Sequence, residues 1–213
     1  MSLSEALRPI VAAAPVIPVI VLEDAAIAVP LARALVAGGL HVIEVTLRTG
    51  AAIGAIEAIA AEVEGAIVGA GTVLSKGQLI AAARAGAQFL VSPGVNDDLL
   101  KAADDSPVPF LPGAATASEV MQLMDKGYTI QKFFPAEPAG GVAYLKALAS
   151  PLPDISFCPT GGIDVKSAPA YLALPNVVCV GGSWVTPKDA VGLGDWARIT
   201  TLAREAVALR GAS

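Results

Sequence analysis

The chain has 213 residues, of which 54 % are hydrophobic and 15 % are charged, and its formal net charge is −5. The length is sufficient for one domain with a large core, and an acidic chain without a basic run argues against nucleic-acid binding. Two cysteines and one histidine, without metal-ligand spacing, argue against a disulfide framework, a zinc site or another metal site.

The N-terminal segment predicts a helix over residues 1–13, which we expect to cover the bottom of the fold. The apolar run of residues 10–22 is interrupted by Pro15 and Pro18 and ends at Glu23, so it is shorter than the roughly 20 residues of a membrane helix. It also lacks the cleavage site of a signal peptide. We therefore expect a cytoplasmic protein without a membrane partner.

Eight short apolar runs alternate with Ala-rich segments that have the apolar spacing of helices. This alternation indicates βαβ units and a parallel sheet, and eight units favour a closed (β/α)8 TIM barrel with an extra N-terminal helix, in the α/β class. An open, doubly wound sheet is the alternative fold. No linker divides the chain, so residues 1–213 are expected to form a single domain. The predicted strands are residues 16–22, 42–48, 66–73, 89–94, 108–114, 130–136, 155–161 and 177–183.

Charged residues are almost absent from the predicted strands: only Glu44, Arg48 and Lys132 lie on them. Because burying an unpaired charge is costly, the presence of these three residues on buried strands requires a functional or structural explanation. Side chains alternate along a strand, so the polar face of the second strand should point into the barrel. The residues predicted to share this interior are Glu44, Thr46 and Arg48, then Val68, Ala70 and Thr72, then Ile130, Lys132 and Phe134.

Lys132 is the candidate nucleophile. A buried lysine near Arg48 is poorly solvated and repelled by a second cation, which favours the neutral amine. A neutral amine adds to a ketone and forms an imine. The alternative is that Lys132 and Glu44 form an ion pair with a structural role only.

Glycine pairs at the ends of the last two predicted strands form a candidate phosphate site. They lie in Thr160-Gly161-Gly162 and Gly181-Gly182-Ser183, and each pair is expected to lead into a helix. Bare backbone amides at a helix N-terminus bind phosphate, and the loops after the seventh and eighth strands often do so in barrels.

Five segments, in order and spread over nearly the whole chain, resemble the 2-keto-3-deoxy-6-phosphogluconate (KDPG) aldolase family, which also includes 4-hydroxy-2-oxoglutarate (KHG) aldolases. The resemblance implies an Entner–Doudoroff lyase of class I that forms pyruvate and glyceraldehyde 3-phosphate. It implies no cofactor or metal, and a homotrimer, which the low proportion of charged residues also favours. The segments are Glu44-Val45-Thr46-Leu47-Arg48-Thr49, Gly69-Ala70-Gly71-Thr72-Val73, Lys132-Phe133-Phe134-Pro135-Ala136, Cys158-Pro159-Thr160-Gly161-Gly162 and Gly181-Gly182-Ser183-Trp184.

The resemblance also implies a role for each residue that matches the motifs. Lys132 is expected to form the imine, and Glu44 to act as acid and base. Substrate binding is assigned to Arg48 and Thr72, on the pyruvyl carboxylate, and to Phe134 and Thr160, on the pocket wall. The phosphate-binding residues are expected to be Gly161, Gly162, Gly182 and Ser183.

Three other functions remain open on the sequence. The substrate could be the galactonate-derived epimer, for which Thr160 would be the discriminating contact. The chain could also be a phosphate-binding isomerase or epimerase without covalent chemistry, which would leave Lys132 without a role. A keto-acid sensor is disfavoured because a sensor needs no nucleophile.

Overall fold

The computed structural model describes residues 3–209 as parallel strands that alternate with helices. None of these helices is long and apolar enough to cross a bilayer. The strands are β1 (Val16–Ile20), β2 (Val42–Thr46), β3 (Ile67–Gly71), β4 (Leu90–Val91), β5 (Phe110–Leu111), β6 (Gly113–Ala114), β7 (Ile130–Phe133), β8 (Ser156–Pro159) and β9 (Val180–Gly182). The helices are α1 (Leu3–Val11), α2 (Ala28–Ala37), α3 (Ala52–Glu62), α4 (Lys76–Arg84), α5 (Asp97–Asp104), α6 (Ala117–Asp125), α7 (Gly141–Leu148), α8 (Ala168–Leu172), α9 (Lys188–Leu193) and α10 (Trp196–Ala208), with a 3-10 turn (Ala25–Ile27) before α2.

The strands form a curled parallel sheet, which confirms the predicted α/β class. Six strands pair in the order β5-β4-β3-β2-β1-β9, and three pair in the order β6-β7-β8. Only Pro112 separates β5 from β6, and it interrupts the ladder because proline has no N–H to donate. Two isolated parallel bridges, Phe157 to Val177 and Thr160 to Gly181, lie between the last two βα units.

Every predicted run contains a strand, but most of the strands stop short of the predicted carboxyl ends. β2 ends at Thr46 and β7 at Phe133, whereas the sequence predicted extension to residues 48 and 136. The residues beyond these ends turn away from the ladder. In parallel strands these turns all lie at the same edge of the sheet, which is where the candidate site residues collect.

The curled sheet has a separate apolar cluster on its inner face, to which α1 contributes. Leu7 and Val11 of α1 are fully buried in this cluster, and α1 contacts β5 and β7. The predicted N-terminal helix is present from Leu3, and residues 1 and 2 of the prediction lie outside the described part of the chain. The other buried residues of the cluster lie on the strands or directly before them: Ile17, Val42, Phe89, Val91, Leu111, Ile130, Cys158 and Cys179.

Leu7→Ala should lower the free energy of unfolding by about 2–5 kcal/mol, because it removes a fully buried side chain and leaves a cavity. Leu193→Ala is the matched control: Leu193 is 84 % exposed, and its loss should change stability by no more than about 0.5 kcal/mol. Urea titration of both variants measures the difference. Equal stabilities would mean that α1 is not part of the core.

Candidate active site

The centre of the site is a buried ion pair between Lys132 on β7 and Glu44 on β2. Lys132 Nζ lies 3.3 Å from Glu44 Oε1, and both side chains are only 4 % exposed. The predicted neighbour of Lys132 was Arg48, but the charge in contact with the ammonium is the carboxylate of Glu44. The neutral amine that adds to a ketone forms only when a proton leaves Lys132. Glu44 is the nearest base for that proton.

Gly71 provides the space that the Glu44 carboxylate occupies. A Cβ built on Gly71 would overlap the carboxyl group of Glu44, and a Cβ on Gly69 would overlap the ring of Phe89. The inner face of β3 therefore carries Gly69 and Gly71, after Ile67 at the start of the strand. The sequence prediction that Val68 and Ala70 share the interior with Glu44 was wrong, since both belong to the outer core cluster, among the residues packed with the helices.

Arg48 and Thr72 lie in turns just after β2 and β3. Arg48 Nε donates a hydrogen bond of 3.1 Å to Thr72 Oγ1. Arg48 is exposed and lies two residues beyond the end of β2, so its predicted position on the strand was wrong. Thr72 has a φ of +57°, and this left-handed conformation costs on the order of 1–3 kcal/mol for a residue other than glycine. In this backbone conformation the Thr72 hydroxyl accepts the hydrogen bond of the Arg48 guanidinium.

A cavity of about 740 Å³ opens beside the ion pair. Its wall includes the half-buried Phe134, whose ring centre is 5.2 Å from Lys132 Nζ. Phe134 therefore contacts both the cavity and the amine, whereas Lys132 itself does not line the cavity wall. Seven of the ten predicted site residues line this cavity: Arg48, Phe134, Thr160, Gly161, Gly162, Gly182 and Ser183. The other three connect to it through Phe134 or Arg48.

The two glycine segments approach each other at one end of the cavity. Thr160 is 7 % exposed, its hydroxyl has no hydrogen-bond partner among the described residues, and a Cβ on Gly181 would overlap it. Gly161 and Gly162 have φ values of +104° and +82°, which favour glycine at both positions. Each segment is followed by a helix, as predicted, but a loop lies between them: α8 begins at Ala168, and α9 at Lys188. Any anion here would therefore contact loop amides rather than a helix N-terminus.

Sequence reasoning missed three residues of the site. Gly71 was inside a quoted motif, but its role as space for Glu44 depends on the register of two strands. Glu23 and Lys188 are charged residues on the cavity wall. Glu23 follows the first strand, and Lys188 begins α9 after the loop that follows the last strand. This location was the only available signal, because the loops at the carboxyl ends of barrel strands carry the site.

A buried lysine, paired with a carboxylate beside a cavity on a parallel α/β fold, defines the class of Schiff-base lyases. No three His, Cys, Asp or Glu side chains within residues 3–209 converge as a metal site. The sequence model of the KDPG and KHG aldolase family matches residues 7–202, and the chain belongs to this family. It is an aldolase, and the resemblance stated from the motifs is confirmed.

Individual relatives agree with the family assignment. The KHG/KDPG aldolase of Escherichia coli K12 is 56 % identical, and the match covers 91 % of each chain. The KDPG aldolase of Zymomonas mobilis ZM4, solved with 3-phosphoglycerate, has a TM-score of 0.92 and 51 % identity over 97 % of each chain. The enzyme from Legionella pneumophila, solved with pyruvate as a covalent carbinolamine, has a TM-score of 0.91 and 48 % identity over 93 % of this chain and 96 % of that one.

Gly71→Ala should reduce kcat roughly 100-fold, because the added methyl group displaces the Glu44 carboxylate and a misplacement of about 1 Å can have an effect of that size. Gly69→Ala is the matched control on the same strand, since its methyl group meets Phe89 instead. Both variants should lose stability, but only Gly71→Ala should lose turnover per folded molecule. If both variants lose turnover per folded molecule equally, the space at Gly71 has no specific role in catalysis.

Proposed function

We propose that the chain cleaves KDPG to pyruvate and glyceraldehyde 3-phosphate through an imine on Lys132. The observation that carries this proposal is the buried contact of 3.3 Å between Lys132 Nζ and Glu44 Oε1, next to a cavity large enough for a six-carbon substrate. The carbinolamine described for the Legionella relative supports a covalent route. A non-covalent isomerase would not need a buried amine.

Imine formation begins with proton transfer inside the ion pair. Glu44 takes a proton from the Lys132 ammonium, and the neutral amine then adds to the C2 ketone to form a carbinolamine. The protonated Glu44 gives the proton to the departing hydroxyl, which leaves as water. The products of this step are an iminium on Lys132 and a Glu44 carboxylate, so the site is ready for carbon–carbon cleavage.

The iminium then accepts the electron pair of the C3–C4 bond. Glu44, directly or through a water molecule, removes the proton of the C4 hydroxyl, and the bond breaks to give an enamine and glyceraldehyde 3-phosphate. Glu44 returns this proton to C3 of the enamine. Hydrolysis of the resulting iminium releases pyruvate and restores the Lys132 ammonium.

Arg48 and Thr72 are proposed to bind the carboxylate of the pyruvyl part. Arg48 has no carboxylate partner among the described residues, and a guanidinium can bind a carboxylate with two parallel hydrogen bonds. This contact would hold C2 close to Lys132. Phe134 forms the apolar wall next to the amine, and the unpartnered hydroxyl of Thr160 is positioned to bond with a substrate oxygen.

Gly161, Gly162, Gly182 and Ser183 are proposed to bind the distal phosphate through loop amides and one hydroxyl. All four line the cavity together with Thr160, and Gly161 and Gly162 have positive φ angles that favour glycine, so no side chain covers the backbone there. The phosphorylated ligand named for the Zymomonas relative supports this assignment. KHG carries no phosphate, so we propose it as a second, phosphate-independent substrate, as the name of the Escherichia coli relative suggests.

We also propose that residues 1–213 form a single closed (β/α)8 barrel with an extra N-terminal helix. The isolated bridges at Val177 and Gly181 and the single-residue break at Pro112 support closure, because they lie where the two sheets adjoin. The inner apolar cluster supports it as well, since its residues come from every part of the sheet. The short paired segments reflect strands that leave the ladder early to form the site.

A homotrimer in the cytoplasm is proposed for the assembled enzyme. Several large apolar side chains are exposed on the single chain, and such surface is usually covered in an oligomer. A phosphorylated sugar acid cannot cross a bilayer unaided, so the enzyme is expected where its substrate is made. The exposed apolar residues are Val21, Leu74, Ile80, Val95, Met121, Val165 and Leu193.

Borohydride reduction in the presence of pyruvate should attach one reduced pyruvyl group to Lys132. Peptide mass mapping locates the adduct, and Lys166, which is exposed, serves as an internal control. Lys132→Arg should abolish both labelling and turnover, because a guanidinium does not form the imine. An unlabelled protein, or label on another lysine, would rule out the covalent mechanism.

Ser183→Asp should reduce kcat/KM for KDPG by about 100-fold through repulsion of the phosphate, and should change kcat/KM for KHG by less than about threefold. Ser183→Asn is the neutral control of similar size. Ser183 is a better test position than Gly162, because Gly162→Val would place Cβ 2.7 Å from Glu137 Cβ at a φ of +82° and disrupt the turn itself. Equal losses of kcat/KM on KDPG and KHG would contradict the assignment of these residues to phosphate binding.

A further inference from the structure

The loop after β7 lies against the loop that carries Gly161 and Gly162. Ala136 N donates a hydrogen bond of 2.8 Å to Thr160 O, and Glu137 N donates one of 3.0 Å to Gly161 O. These two bonds fix the backbones of the loops relative to each other, but they leave the conformation of Gly162 undetermined. A residue with a φ of +82° and no side chain has little intrinsic preference for one orientation of its amide.

The side chain of Glu137 packs directly on Gly162. A Cβ built on Gly162 would lie 2.7 Å from Glu137 Cβ and 2.8 Å from Glu137 Cγ, so the methylene part of Glu137 fills the space that a side chain would occupy. The carboxylate points elsewhere: both of its oxygens lie within 4 Å of a Cβ built on Gly141. The apolar part of this acidic residue therefore faces the proposed phosphate site.

Tyr171 on α8 holds the carboxylate in that direction. Its hydroxyl donates a hydrogen bond of 2.6 Å to Glu137 Oε1, and the whole residue is 0 % exposed. Burial, together with the hydrogen bond to Glu137 and its charge, raises the pKa of Tyr171 well above its usual value, so the phenol remains a donor over the physiological pH range. A buried donor to a charged acceptor makes a strong hydrogen bond.

We infer that Glu137 and Tyr171 are positioning residues for phosphate recognition: Tyr171 fixes the Glu137 carboxylate, and Glu137 fixes the orientation of Gly162. The inference rests on the proposed phosphate site and adds two residues to it that touch neither the phosphate nor the reacting atoms. The pair acts in two ways. It orders the loop amides before substrate binds, and it keeps a negative charge turned away from the phosphate.

The chain contains a matched control for this pair. Tyr128 is 2 % exposed and its hydroxyl donates a hydrogen bond of 2.9 Å to Asp104 Oδ1, at the end of α5 and away from the cavity. Tyr128→Phe and Tyr171→Phe therefore remove the same kind of buried bond. They should cause similar losses of stability in a urea titration, so that any difference in kinetics reports on position rather than on folding.

Tyr171→Phe should raise the KM for KDPG and the inhibition constant of inorganic phosphate roughly tenfold, the size expected for one hydrogen bond to a charged group. Its kcat with KHG should stay within about twofold of the wild type, as should all constants of Tyr128→Phe. Glu137→Gln should behave almost as the wild type, because an amide oxygen can still accept from Tyr171 and no longer repels phosphate. Glu137→Ala should resemble Tyr171→Phe.

Two results would overturn the inference. One is a Tyr171→Phe variant that is indistinguishable from Tyr128→Phe, and the other is an equal loss on KDPG and KHG, which would indicate a purely structural role. Failure of the phosphate site itself would look different. In that case the wild-type enzyme would already treat both substrates alike and would not be inhibited by phosphate, and the inference would fall with the site.

Discussion

Two opposite charges, on Lys132 and Glu44, are held 3.3 Å apart in surroundings that leave each side chain only 4 % exposed. Removing both charges from water is unfavourable, and loss of one partner alone from such a pair costs about 3–5 kcal/mol. The rest of the site is arranged around this constraint. Gly71 leaves space for the carboxylate, and Phe134 presents a ring face towards the ammonium. The pair is thus a structural contact, and in the proposed reaction the same two groups also exchange the proton that is transferred.

Stability and chemistry occupy opposite ends of the strands. The amino-terminal side holds an apolar cluster completed by Leu7 and Val11 of α1. The carboxyl ends hold the ion pair, the strained turn at Thr72 and the glycine loops. Because the strands are parallel, the loops that follow them lie at the same edge of the sheet, so residues far apart in the chain meet there without any long connection.

The two ends of the proposed substrate are met by different kinds of donor. Arg48 offers a fixed positive charge, which Thr72 orients through a hydrogen bond of 3.1 Å. The opposite end offers mostly neutral amides, whose strength as an anion site depends on their common direction rather than on charge. Orientation is therefore more important at the glycine loops than at Arg48. This dependence is the basis of the positioning role that we infer for Glu137 and Tyr171.

The sequence by itself determined the α/β class and the alternation of strands with helices, and it selected Lys132, Glu44 and the glycine segments as candidate site residues. Those features depend on local periodicity and on charges in apolar runs, both of which are visible in one dimension. It predicted the wrong face for β3, because alternation cannot show that Glu44 occupies the space beside Gly71. It also predicted Arg48 on a strand, and it did not show the loops that separate the glycine segments from α8 and α9. Packing between distant segments decides where a strand ends and which charged group contacts Lys132. It also brings Tyr171 to Glu137 across 34 positions of the chain. Only the tertiary structure decided these features, because the sequence does not show which distant segments pack together.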